Sequence, residues 1–232
     1  MRLTVFGANG PTGRLVVRRA LSAGHEVVAV TRKPDDFPLS APGLRVAVAD
    51  VHDPGRVAEA VEGAQAVVST FGVPYSGHKI TVYSSGITNI TLAMRDLGVS
   101  RLVCVSSTTV AGQAVPDETL LWRWAVLPLL RNVAGRTLYD DMERMEAIVR
   151  ASGLDWTIVR PGGLFNTPEP TDDHVVAPSP VAGRSTSRAY LAAALLQEAT
   201  EPRSVREVVD VISRSGRPDL ATFLEEAFGG TS

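Results

Sequence analysis

The chain has 232 residues, and 23 Lys and Arg against 25 Asp and Glu leave a formal charge of −2, so a phosphate-neutralising surface for nucleic acid is not expected. At roughly 100–200 residues per domain this is one domain spanning the whole chain, and a hydrophobic share of 44% with mean hydropathy +0.08 is enough to bury a core unaided. The lone Cys104 excludes an internal disulfide, the start MRLTVFG is too short an apolar run for a secretory signal, and no stretch reaches the about 18 apolar residues of a membrane span; a cytoplasmic protein without a membrane partner is the expectation.

Leu3 to Phe6 is β-rich and stops at Gly7, after which Gly13 to Ala23 reads as a helix ended by Gly24. The theme then repeats. Strands are predicted over Glu26 to Thr31, Arg45 to Ala49 and Gln65 to Thr70, with a helix over Arg56 to Glu62. A long helix over Thr81 to Leu97 precedes a strong strand at Arg101 to Ser106, a helix around Asp141 to Ser152 and a strand at Asp155 to Arg160. Apolar cores such as Val27 to Val30 and Leu102 to Val105 lack period-two alternation, as expected for strands covered on both faces by helices. The pattern implies an α/β fold with a Rossmann-type doubly wound parallel sheet. After Pro161 the rhythm loosens into a Pro- and Asp-rich segment, Thr167 to Pro180. A helix from Ser187 to Ala199, a strand from Arg206 to Ile212 and a closing helix from Asp219 to Phe228 follow. Residues 161–232 are expected to contribute the substrate side.

Gly7-Ala8-Asn9-Gly10-Pro11-Thr12-Gly13 lies between the first strand and the first helix. Gly7 permits the tight exit from the strand, Gly10 the approach of a pyrophosphate, and Gly13 close packing of helix on sheet. Phosphates would sit on backbone N–H groups at the positive helix end. The spacing G-x-x-G-x-x-G is one residue longer in its first gap than the commonest dinucleotide fingerprint, and an ordinary βα turn is the alternative. A site for NAD carries an acid at the end of the second strand, to bind the ribose 2′-hydroxyl. Here that end reads Thr31-Arg32-Lys33, and two cations there can pair with a 2′-phosphate, which points to NADPH. The alternative is a solvated basic surface.

These residues resemble the atypical short-chain dehydrogenase/reductases, in particular the NmrA-like branch with the biliverdin IXβ/flavin reductases. The resemblance covers nearly the whole chain. It rests on the glycine turn, on Thr31 to Pro34, Ala49-Asp50-Val51 and Val105-Ser106-Ser107, and most specifically on Asp140 to Glu146 running into Ala151 to Gly163. Ser187 to Ala192 is similar to a family helix start, with Tyr190 where an Asp is usual. The resemblance implies that Asp50 and Val51 border the adenine, that Thr70, Phe71 and Gly72 line the ribose and pyrophosphate, and that Pro161, Gly162, Gly163 and Leu164 contact the nicotinamide. Asp50 has an alternative as a turn residue with Asp53 and Pro54.

The larger short-chain family protonates a carbonyl with a Tyr assisted by a Lys four residues on. Tyr139 is followed at that spacing by Glu143, and Met142 has no proton to give. A carboxylate raises a tyrosine's pKa where an ammonium lowers it. Asp140-x-x-Glu143 reads equally well as a capping box that starts the helix after Tyr139. What remains is Ser106, the candidate catalytic residue, where the fifth strand opens toward the expected nicotinamide; the alternative is a hydroxyl satisfying strand-end backbone.

The acceptor pocket is expected from Val73 to His78, the segment after Ser106, and Phe165 to Pro180, with Trp122 and Trp124 in the apolar run Thr119 to Leu130 as a possible wall, partner surface or core. The four histidines show no metal-ligand spacing and one cysteine cannot build a zinc cage, so no metal is expected; His78 is the one histidine placed near the predicted crevice. Without an acid pair, the expected function is an NADPH-dependent reductase passing hydride to a small planar conjugated acceptor such as a flavin or quinone, working as a monomer or weak homodimer. A non-catalytic NADP(H)-binding redox sensor is the alternative, and an epimerase-like enzyme a weaker third.

Overall fold

In a computed structural model, residues 1–74, 78–111, 135–167, 173–183 and 185–214 are described. The elements are β1 (Arg2–Phe6), α1 (Pro11–Ser22), β2 (Glu26–Thr31), β3 (Leu44–Val48), α2 (Pro54–Val61), β4 (Ala66–Ser69), α3 (Val82–Asp96), β5 (Arg101–Val105) and α4 (Thr108–Ala111). Then come α5 (Arg136–Ala151), β6 (Asp155–Pro161), β7 (Gly163–Phe165), β8 (His174–Pro178), β9 (Ser185–Ser187), α6 (Arg188–Thr200) and β10 (Glu207–Ser213).

One eight-stranded sheet runs β3-β2-β1-β4-β5-β6-β10-β8, parallel throughout except for the antiparallel β10–β8 pair. Reversal of strand order between β1 and β4 leaves a crevice at their carboxyl ends, the place where open α/β sheets bind ligands. All five residues of β5 and all four of β4 are buried, which is why neither alternates. Alternate residues therefore feed two cores. Phe6, Val28, Val67, Leu102, Cys104 and Ile158 pack under α2, α3 and α5. On the other face Leu3, Val5, Val68, Val103, Val159 and Val211 pack under α1 and α6. Each such side chain contributes about 1.5–3 kcal/mol by leaving water, so the sheet centre is the rigid part on which the crevice is mounted.

Three expectations need correction. The first helix begins at Pro11, two residues before Gly13, because a proline at the first helical position loses no helical hydrogen bond. The helix expected from Asp141 begins at Arg136, so Tyr139 is helical and Asp140-x-x-Glu143 is not a capping box. Asp140 faces Arg136 at 3.8 Å one turn back, and the adjacent Asp141 caps a different helix. The segment Thr167 to Pro180 contains strand β8, whose alternately exposed residues fit a sheet edge. β7 and β9 form a separate two-stranded parallel sheet of three residues each. Residues 119–130 and 219–228, which hold the apolar run and the closing helix of the sequence reading, lie outside the described residues. Among the described residues no helix is long and apolar enough to cross a membrane.

Candidate functional site

The glycine turn leaves β1 at Gly7 with φ +74°, a left-handed conformation, and a Cβ there would lie 2.7 Å from the Thr70 carbonyl oxygen. Gly10 N donates to Gly7 O at 3.0 Å and is followed by Pro11 and Thr12 in the first turn of α1. Among the described residues no side chain caps this helix and no acid stands in its first turn, so nothing described there competes for its amides or repels an anion. A Cβ on Gly13 would sit 2.2 Å from Gly7 O and 2.8 Å from Ala8 Cα. Asn9 braces the turn: its Oδ1 accepts from Arg14 Nε at 3.1 Å and Nη2 at 2.8 Å. Thr70 Oγ1 donates to Phe6 O at 2.9 Å, tying the end of β4 to the end of β1.

Arg32 and Lys33 follow β2 and are exposed. Lys33 N donates to Thr31 Oγ1 at 3.1 Å, while Lys33 Nζ lies 3.7 Å from Asp36 Oδ2. That ion pair is open to water and holds the lysine weakly. Asp50 Oδ1 accepts from His52 N at 2.9 Å and meets His52 Nδ1 at 2.8 Å. The His52 backbone and imidazole, with the Arg32 charge adding a smaller part, hold the Asp50 carboxyl below its ordinary range. Asp53 N also donates to Asp50 O at 3.0 Å, closing a turn ahead of α2. Val51 O accepts from Asn89 Nδ2 at 2.8 Å. Phe71 packs edge-on against Phe6 and Tyr83, at centroid distances of 6.5 and 6.4 Å. A Cβ on Gly86 of α3 would come within 2.9 Å of the Phe71 ring and 3.0 Å of Val51 Cγ2, so that glycine seats both residues. A Cβ on Gly72 would meet nothing within 4 Å.

The other half of the crevice end is built on a buried charge cluster. Ser106 directly follows β5, and its N–H donates to Val159 O of β6 at 2.8 Å. Its hydroxyl donates to Glu146 Oε1 on α5 at 2.7 Å. Arg160 meets the same carboxylate through Nε at 2.8 Å and Nη2 at 2.6 Å, and Arg150 Nη2 adds a contact at 3.2 Å. Burial pulls the Glu146 pKa up, but the bonds from Arg160, Ser106 and Arg150 outweigh it and hold the carboxyl below its ordinary value. In the sheet register Arg160 is opposite Asp210 of β10. Asp210 Oδ2 accepts from Val181 N at 2.8 Å, whereas the buried Oδ1 has no hydrogen-bond partner among the described residues. Burial pushes the Asp210 carboxyl up.

Pro161 is buried, and Gly162 N donates to Thr186 Oγ1 at 2.8 Å, while Gly163 and Leu164 pair with β9. Tyr139 and Met142 are buried on α5 and Glu143 is exposed. Asp141, fully buried, accepts from Tyr83 N at 2.9 Å and Ser84 N at 3.3 Å, and so caps α3 from a neighbouring helix. His174 begins the edge strand β8, opposite Ser213 in register, with its ring centroid 4.2 Å from that of Tyr190.

Glu146, Arg160, Asp210, Asp141, Gly86 and Thr186 escaped the sequence reading of the site. A usable signal existed for two of them: Arg160 in DWTIVRP and Asp210 in EVVDVIS interrupt apolar strand cores, where an ion needs a partner.

Strand order, a glycine turn at the start of α1 and a crevice at the β1/β4 switch define a Rossmann-type fold. A model of the NAD(P)H-binding family matches residues 7–202, and the chain belongs to that family. An uncharacterized chloroplastic protein of Arabidopsis thaliana is 33% identical over 226 residues, covering 94% of this chain and 78% of that one. The uncharacterized sugar epimerase YhfK of Bacillus subtilis is 32% identical over 174 residues, covering 72% of this chain and 74% of YhfK. Among solved structures, a short-chain dehydrogenase/reductase of Veillonella parvula in complex with NADP superposes with a TM-score of 0.77 at 18% identity, over 94% of this chain and 99% of that one. ChuY of Escherichia coli, described as an anaerobillin reductase, gives 0.74 at 24% identity, over 94% of this chain and all of that one. At these identities the solved structures speak for the fold.

Proposed function

We propose that the protein is an NADPH-dependent reductase that delivers hydride to a small planar conjugated acceptor, without a Tyr–Lys acid pair. The reading is carried by the turn from Gly7 to Gly13, where the space a Cβ would need is taken up by the turn's own backbone and by Thr70. Such a cradle fits a pyrophosphate, which the amides of Thr12 and Gly13 at the start of α1 would hold, with Gly10 and Pro11 leaving room for its approach. Arg32 and Lys33 stand where an NAD site keeps an acid, and would bind the 2′-phosphate; Asp50 and Val51 would border the adenine. Thr70, Phe71 and Gly72 would line the ribose and pyrophosphate, and Pro161, Gly162, Gly163 and Leu164 the nicotinamide. The bound cofactor supplies the hydride, and the chain aligns two rings and excludes water.

Glu143 stands four residues after Tyr139, where the larger short-chain family keeps the lysine that acidifies its tyrosine. A positioned acid is typically worth about 10²–10⁴ in rate, so ordinary ketones are handicapped. Flavins and quinones, which take hydride readily and are protonated by solvent, are handicapped far less. One relative is named as a sugar epimerase and one fold neighbour is described as an anaerobillin reductase, and the second favours reduction. NADPH oxidation followed at 340 nm across flavins, quinones, aldehydes and conjugated ketones tests the proposal. Turnover with a flavin or quinone and little with aldehydes is the expected result. Silence across the panel, with tight NADP(H) binding, would favour the redox-sensor reading that the missing acid pair also supports.

A further inference from the structure

The Ser106–Glu146 bond fixes which hydrogen-bonding role is left for Ser106. Its backbone N–H is tied to Val159 O at 2.8 Å, so the residue is held between the ends of β5 and β6, on the crevice edge of the sheet. Glu146 receives two bonds from the Arg160 guanidinium and one from Arg150, and an ionised carboxylate can only accept. At 2.7 Å the shared proton is therefore the serine's. A serine hydroxyl has one proton and two lone pairs. With the proton spent on a buried anion, the oxygen can accept a further bond but cannot give one without leaving Glu146 short of a donor.

We propose that Ser106 acts toward the bound ligands as a hydrogen-bond acceptor, with Glu146 as the positioning residue that holds its proton, so that the site reads an N–H donor and not a bare carbonyl. This rests on the reading that nicotinamide and acceptor meet at this strand end. It favours ligand edges that present an N–H over edges that present a bare carbonyl. The carboxamide NH₂ of the nicotinamide offers the same chemistry, and the experiment separates the two sources.

Affinity for NADP and for its 3-acetylpyridine analogue, in which a methyl replaces the amide NH₂, is measured by titration calorimetry for the full-length wild type and Ser106→Ala. Turnover of a flavin and its N3-methyl derivative is measured in parallel. If the carboxamide is the donor, Ser106→Ala weakens NADP about 3–10-fold, the range of one neutral hydrogen bond, and leaves the analogue unchanged. If the acceptor is the donor, kcat/KM falls by a similar factor for the flavin and stays constant for the N3-methyl compound. Glu146→Gln, which can donate as well as accept, frees the serine proton and should shrink either discrimination; a thermal melt confirms that it is folded. If it does not fold, the Ser106→Ala comparison decides alone. Equal losses for both members of a pair, or no change in any of the four measurements, overturns the proposal. If the wild type turns over neither flavin while Ser106→Ala weakens NADP and leaves the analogue unchanged, the proposal stands and flavins drop out of the reductase reading.

Discussion

Gly13→Ala adds one methyl group to the place where α1 packs on the turn, 2.2 Å from Gly7 O, 2.8 Å from Ala8 Cα and 2.9 Å from Gly7 C. Every atom it meets is backbone, and a real Cβ stays beyond 3.0 Å, so the turn and helix must part by about 0.8 Å. Overpacking of this kind costs about 1–3 kcal/mol. Replacing a helical glycine by alanine returns about 1 kcal/mol, which leaves a net loss of about 0–2 kcal/mol. At about 2–4 °C per kcal/mol for a chain of this size, Tm should fall by no more than about 8 °C. The cofactor should suffer more, because the shift moves the amides that would hold the pyrophosphate, and misplacement by about 1 Å at a positioned group can cost about 10²-fold. NADPH affinity, followed by enhancement of its fluorescence, should drop at least tenfold in a variant that still melts cooperatively. Wild-type affinity in Gly13→Ala would refute the assignment of this turn to the pyrophosphate.

Two further predictions concern the buried charges. Glu146→Ala leaves Arg160 without its carboxylate and should cost about 3–5 kcal/mol in urea unfolding. Because the folded Glu146 pKa is depressed, the wild type's advantage is complete above the ordinary glutamate value and should shrink as pH falls through the lower folded value; a constant difference would argue against an ionised Glu146. Asp210 has the opposite sign. Its raised folded pKa means that stability falls as pH rises from the ordinary aspartate value to the folded one, and the penalty persists above it. Asp210→Asn should therefore raise Tm at about pH 7, by roughly 2–4 °C for each kcal/mol relieved, with the gain vanishing in acid. A lower Tm for this variant at neutral pH would show that the Arg160 charge outweighs the burial.

The parallel sheet was readable because its strands are short, apolar and separated by helices whose stops are glycines, as at Gly24 and Gly98, both at positive φ. The edge was not. β8 is half exposed, with proline at its end and in its flank, and pairs only once β10 is in place, a contact made across some thirty residues of chain. The start of α5 was misplaced because Asp140 and Glu143 mimic a local cap, whereas the nearby Asp141 caps α3 from 58 residues away. Local signals cannot tell these apart. In the site, the glycine turn was legible since each glycine answers a local steric demand. Ser106 was legible as a position, but its partner Glu146, 40 residues on, decides whether it donates or accepts. Gly86, inside a helix, reads as a weak helix former until Phe71 and Val51 are seen against it.

The proposed roles of the glycine turn and of the Arg32–Lys33 pair predict a preference for NADPH over NADH. Calorimetric titration of the wild type with NADPH and NADH, and of Arg32→Ala with both, tests it without any assumption about the acceptor. NADPH should bind at least about tenfold more tightly than NADH, as expected for one charge-assisted contact to the 2′-phosphate. Arg32→Ala should lose most of that preference while leaving NADH affinity unchanged. NADH binding as tightly as NADPH, or a preference untouched by Arg32→Ala, would contradict it.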